Sequence, residues 1–260
     1  MNDFMYSFPL WAIFSVIVVV SLLAVELGFR FARLMNRGAK KEVEGDVGGI
    51  VAALLGLLAF ILAFSFSITT NRFDTRKQLV LDEANAISTT YLRAGLVPEL
   101  RGTVIKSLLE EYTDLRVKVV ANPSIIGEML VRSEEIHAQL WMQADSLANE
   151  NMDSEIRSLF ISSLNEVIDL HESRKTVALI YRIPAFIWIS LHLMMIASMF
   201  GTGYQMGASG TRRPFAIPIM VAAFALVIIM IAAMDRPNEG MFQVSQQPLI
   251  DTLEMMRKAH

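Results

Sequence analysis

Apolar and polar positions alternate along this chain on the scale of whole helices. Four stretches almost free of charge, roughly residues 8–25, 47–71, 183–211 and 214–234, stand two on each side of a polar segment of about 110 residues. Crossing a hydrocarbon core as a helix takes about 20 predominantly apolar residues. The pattern therefore predicts an all-α integral membrane protein with four transmembrane helices and a helical extramembrane insert between spans two and three. The expected divisions are 1–71 (spans one and two), 72–175 (the insert), 176–235 (spans three and four) and 236–260 (a tail).

The first span carries Trp11 near one interface and ends at Glu26–Arg30, a carboxylate and a guanidinium one turn apart that can pair. An acidic Met1-Asn2-Asp3 start without a small-x-small cleavage site argues for a retained span rather than a signal peptide. The second span meets no breaker after Asn71. Apolar positions recur at Leu79, Val80, Ala84, Ile87 and Tyr91 at helical spacing, so one long helix is predicted, stopped by Gly95 and Pro98. Three further insert helices follow, the second capped by Ser124 and the third by Asp153, with the third running on into span three. Gly201, Gly203, Gly207 and Gly210 read as a flexible turn before Arg212-Arg213, and Pro248 opens a last helix in the tail.

Orientation is pulled two ways. Arg30, Arg33, Arg37, Lys40 and Lys41, with Arg212 and Arg213, place both short loops in the cytoplasm and the insert outside. Arg72, Arg76, Lys77, Arg174 and Lys175 flank the insert and pull it inward.

Candidate chemistry is sparse. With no cysteine, thiol catalysis and cysteinyl metal sites are excluded, and a net charge of −3 does not point to nucleic acid. The four histidines, His137, His171, His192 and His260, lie far apart in sequence, so a metal site could form only by folding. Phosphate-cradling and nucleophile-elbow motifs are absent, and Asp82-Glu83 project about 100° apart on a helix. The pair reads as a solvated face or a salt bridge to a neighbouring helix. No enzyme activity and no cofactor is expected. His192, deep in span three, reads either as a neutral group bonded to a neighbouring helix or as a proton-sensing one.

Gly56, Phe60, Phe64 and Ser67 share one face of the second span. The aromatics could face lipid or pack on span one. Around a symmetry axis the same face would form apolar rings, a constriction that gates by dewetting.

Ala59-Phe60-Ile61-Leu62-Ala63-Phe64, then Ser67 and Arg72-Phe73, resembles the second membrane helix of the bestrophins, with Arg72 eight residues beyond Phe64. Further pieces resemble a bacterial membrane family with a bestrophin-like domain: Arg72-Phe73-Asp74-Thr75-Arg76, Asp82-Glu83-Ala84-Asn85-Ala86-Ile87, Asp235-Arg236-Pro237 and Val244-Ser245-Gln246-Gln247-Pro248. The resemblance implies a multi-pass protein of the bacterial inner membrane, assembled with itself as a symmetric oligomer, a pentamer, that conducts anions such as chloride. Phe60 and Phe64 would form its neck. Gly56 stands where bestrophins place a bulky side chain, and Ser67 would offer a hydroxyl to permeant ions. At the mouth, Arg72 and Arg76 would attract anions or pair with insert carboxylates such as Asp82 and Glu83. No acidic cluster follows span four, so a bestrophin-type calcium clasp is not indicated, and bestrophins keep their insert in the cytoplasm. The alternative is a non-conducting sensor or scaffold whose insert binds a partner protein.

Overall fold

A computed structural model of the chain describes residues 8–35, 44–147, 152–212, 215–236 and 242–259. Every α or β element among them is helical: α1 (Leu10–Met35), α2 (Glu44–Arg93), α3 (Glu99–Ala121), α4 (Ile126–Ser146), α5 (Ser154–Leu179), α6 (Ala185–Ser209), α7 (Ala216–Asp235) and α8 (Gln247–Lys258). A 3₁₀ turn, Pro123–Ile125, precedes α4. Among the described residues, four segments are long and apolar enough to cross a membrane: Leu10–Met35, Val47–Arg93, Ala185–Ser209 and Ala216–Asp235. Arg37, Lys40, Lys41, Arg213, Pro237 and His260, which entered the sequence reading, lie outside the described residues.

The chain divides into two compact units, Met1–Arg72 with Arg182–Phe242, and Phe73–Tyr181 with Gln243–His260. α2 is one continuous helix of 50 residues, about 75 Å at 1.5 Å per residue.

The first unit buries an apolar cluster that includes Ile17, Leu58, Leu62, Leu191, Met195, Val221 and Ile228. Its closest packing joins α1 to α6. A Cβ added to Gly203 would overlap the carbonyl oxygen of Val25, one at Gly28 the carbonyl of Phe200, and one at Gly207 the carbonyl and side chain of Phe29 and Ala32. Without a large hydrophobic gain in lipid, helices associate where small residues let backbones approach. This corrects the expected flexible turn: Gly201, Gly203 and Gly207 are helical residues of α6. Only Gly210, at φ +68°, ends it with the left-handed cap that glycine adopts without a Cβ penalty.

The second unit is a bundle of the distal part of α2 with α3, α4, α5 and α8. Its core gathers Ile87, Tyr91, Ile105, Leu109, Tyr112, Ile136, Leu140, Phe160, Leu164 and Met256. The tail helix α8 is tied in by the Tyr91 hydroxyl donating to the Met256 carbonyl at 3.2 Å. Arg257 reaches Glu110 and Asp114 at 3.3 and 3.0 Å.

The helix ends test the predicted signals. α2 stops before Gly95, whose N–H reaches the Leu92 carbonyl at 3.0 Å, and Pro98 stands at the N-cap of α3. Asp153 caps α5 by accepting from the Glu155 N–H at 2.7 Å. Ser124 does not cap α4: its hydroxyl donates to Asn122 Oδ1 at 2.6 Å, and the N-cap residue is Ile125. Nor does α5 run on into α6. Residues 181–184 are non-helical, because Pro184 cannot donate within a helix and disfavours helical backbone before it. Replacing Asp153 by Ala should cost about 1 kcal/mol, read as a small downward shift in thermal unfolding, with helix content unchanged.

Candidate functional site

One face of the membrane portion of α2 is uncovered in the folded chain. Phe60 and Phe64 are 68% and 60% exposed. Ser67 and Gly56 are exposed too, and a Cβ at Gly56 would meet nothing within 4 Å. The opposite face, through Val51, Leu58, Leu62, Ser65 and Thr69, is buried. The four residues picked out on the second span thus share one open stripe, flanked by exposed Ala52, Ala53, Ala59 and Ala63. On α1 the exposed stripe is mainly aliphatic, with Val16, Val19, Val20, Leu23 and Leu27, whereas α6 exposes Phe186, Ser190, Ala197 and Phe200 beside Ile189, Leu193 and Ile196.

Arg72 closes this stretch of α2. Its guanidinium lies 3.4 Å from Asp235 Oδ1, and the same carboxylate accepts from the Ile183 N–H at 3.3 Å. Arg236, 3% exposed, donates to the Phe8 carbonyl at 2.8 Å. The carboxylate partner of Arg72 is therefore the end of the fourth span rather than Asp82 or Glu83. Arg76, one turn on, lies over the Phe73 ring at 6.0 Å. Glu26 pairs with Arg30 at 2.7 Å as expected. His192 bonds through Nδ1 to the Trp188 carbonyl of its own helix at 2.7 Å, not to a neighbouring helix.

The helical unit holds a buried polar cluster that the sequence reading did not assemble. Glu83 on α2 is fully buried. Its carboxylate accepts from Arg174 of α5, lies 3.3 Å from Arg116 Nε of α3, and accepts from the Tyr112 hydroxyl at 2.5 Å. The Tyr112 oxygen also stands 3.1 Å from His171 Nδ1. The His171 and His137 rings meet edge to face at 4.8 Å, and Arg174 donates onward to Gln246 Oε1 at 3.0 Å. Asp82, beside Glu83, points elsewhere and accepts from Gln78.

Burial alone would raise the Glu83 carboxyl, but the charges of Arg116 and Arg174 hold it below the usual carboxylate range. Burial and then the Glu83 charge push the Tyr112 phenol well above its ordinary value, so it stays protonated. Burial, followed by the Arg116 charge, lowers His171 to about 3. Burial likewise lowers His137 to about 4.

These shifts give stability a pH dependence. Below pH 6.5 the unfolded chain protonates both imidazoles while the folded chain does not, so stability falls as pH drops toward 4. Each ring contributes about 1.4 kcal/mol per pH unit in that window. In chelator-containing buffer, unfolding measured at pH 7 and pH 5 should differ by on the order of 2–4 kcal/mol. Equal stability at both pH values would contradict the neutral buried histidines.

Part of the signal for this cluster was present: Glu83, Tyr112 and His171 each follow apolar residues one turn earlier, Leu79 and Val80, Leu108 and Leu109, and Val167 and Ile168. What the sequence did not carry is which of them meet.

The Bestrophin-like domain family profile matches residues 15–249. The chain belongs to the Bestrophin-like family. No curated protein matches its sequence significantly. Among solved structures it is similar to a bacterial Bestrophin homolog from Klebsiella pneumoniae, with 13% identity, TM-score 0.65, and 95% of this chain and 97% of that chain covered. A point-substituted form of the same homolog gives 14% identity, TM-score 0.67 and the same coverage. At such identity the likeness is one of fold, an all-helical membrane protein.

Proposed function

We propose that this bestrophin-like protein is an oligomeric ion channel of the bacterial inner membrane, a homopentamer that conducts anions such as chloride, with α2 lining the pore. The observation that carries the reading is the composition of the open α2 stripe. Surfaces that face lipid gain by presenting large aliphatic side chains, as α1 does through Val16, Val19, Val20, Leu23 and Leu27. The α2 stripe instead alternates Gly56, Ala59, Ala63 and Ser67 with Phe60 and Phe64. Small residues permit close approach of a second copy, and two aromatics one turn apart form stacked apolar rings when copies surround an axis.

In such a ring Phe60 and Phe64 set a dehydrated neck that an ion crosses only when the pore wets. Ser67, one turn beyond, supplies a hydroxyl where ions regain partners. Arg72 adds positive potential at the mouth, softened by its pairing with Asp235, and Arg76 extends the basic character by one turn. An anion is favoured over a cation by this potential.

The test is flux through vesicles reconstituted with the wild type, Phe64→Ala and Leu23→Ala. Widening the neck should raise chloride efflux several-fold in Phe64→Ala, while Leu23→Ala, on the outer stripe of α1, leaves it unchanged. Silent vesicles for both wild type and Phe64→Ala would favour the sensor or scaffold reading instead.

A further inference from the structure

Beside the buried cluster, α4 and α5 supply metal-ligand atoms. Glu134 of α4 and the adjacent His171 and Glu172 of α5 offer donor atoms that all lie within 4.8 Å of one another. His171 is fully buried, and its Nε2 has no hydrogen-bond partner. The tautomer follows from the neighbouring chain of bonds. Tyr112 has one hydroxyl proton and donates it to Glu83 at 2.5 Å, so towards His171 its oxygen accepts, and Nδ1 carries the imidazole proton. Nε2 is then a lone pair, buried and unmatched. Metal-binding histidines are commonly held this way, with one ring nitrogen donating to a supporting group and the other free for the ion.

We propose that His171 Nε2, Glu134 and Glu172 form a binding site for a divalent transition metal of the zinc or cobalt class. One imidazole and two carboxylates are donors of intermediate hardness that suit these ions. Bonds of about 2.0–2.2 Å bring ligand atoms to within about 3.5 Å of one another, a small side-chain movement from the present spacing. The carboxylates are half-exposed, with Glu134 57% and Glu172 53% open, which leaves a path for entry and room for water as a fourth ligand. Lys175 holds the same carboxylates, at 2.7 Å from Glu172 and 3.2 Å from Glu134. Its ammonium is the competitor that the ion displaces, so the site answers to metal concentration. The His137 ring meets that of His171 edge to face beside the site.

The full-length protein in detergent, stripped with chelator, would be titrated with Co²⁺ by visible absorption and with Zn²⁺ by competition. One ion per chain is expected. Glu172→Gln should weaken binding by ~10-fold or more, as loss of a carboxylate ligand does. Lys175→Met should tighten it by about tenfold, by removing the competing charge. That gain separates a metal site from a fold defect, since damage does not raise affinity. Absence of saturable binding, or Lys175→Met binding no tighter than wild type, would overturn the proposal.

Discussion

Replacing Glu83 by Gln should destabilise the helical unit by about 3–5 kcal/mol, the cost of breaking a buried ion pair from one side. The carboxylate is the shared partner of Arg116 and Arg174, whose side chains are only 11% and 14% exposed. Glutamine keeps the volume and can still accept from Tyr112, but it removes the charge that two buried guanidiniums face. Both would then have to be solvated by distortion of α3 and α5. Thermal unfolding in detergent should drop on the order of 10 °C. The Arg174→Met variant should lose less, because it leaves Arg116 to balance Glu83. A Glu83→Gln protein as stable as wild type would mean that the cluster is solvated rather than dry.

The second large effect is expected in the membrane unit. Gly203→Ala puts a Cβ onto the Val25 carbonyl, a backbone atom that no rotamer change can move aside. α1 and α6 must separate along their whole contact, because the Gly28 and Gly207 approaches belong to the same seam. Overpacking of this kind costs about 3 kcal/mol, visible as a lower unfolding temperature and a loss of folded particles on extraction. Gly49→Ala is the control: nothing lies within 4 Å of its Cβ, and Ala is the better helix former by about 0.5–1 kcal/mol. It should be neutral or slightly stabilising.

These two variants mark where the sequence was and was not readable. The four spans were legible because hydrocarbon thickness imposes a length and a composition that few other structures require. The long α2 was legible for the same reason in reverse, since nothing between Asn71 and Gly95 interrupts helical spacing. Gly203 was misread because glycine signals a turn in a soluble chain and a close contact in a membrane helix. Its partner, Val25, is too distant in sequence for local pattern to decide between them. Pro184, by contrast, carried a local stop signal that was placed within a span instead of before it. The Glu83 cluster draws residues from α2, α3, α4, α5 and the tail, and which of them pair across such separations leaves no periodic trace. Arg72 shows the same limit: a carboxylate ten residues ahead looked like its partner, while the fold brings Asp235 to it. For the α2 stripe, periodicity put Gly56, Phe60, Phe64 and Ser67 on one face, and their exposure in the folded chain is what the fold adds.

The account turns on whether that stripe meets water or lipid, and a chain without native cysteine allows a clean answer. Ser67→Cys and Leu23→Cys, each in reconstituted vesicles, would be treated with a charged, membrane-impermeant thiol reagent while chloride flux is followed. The pore assignment predicts that Ser67→Cys reacts and that its flux is blocked, whereas Leu23→Cys is unmodified and unaffected. Equal inertness of the two cysteines, with flux unchanged, would place the α2 stripe against lipid and contradict it.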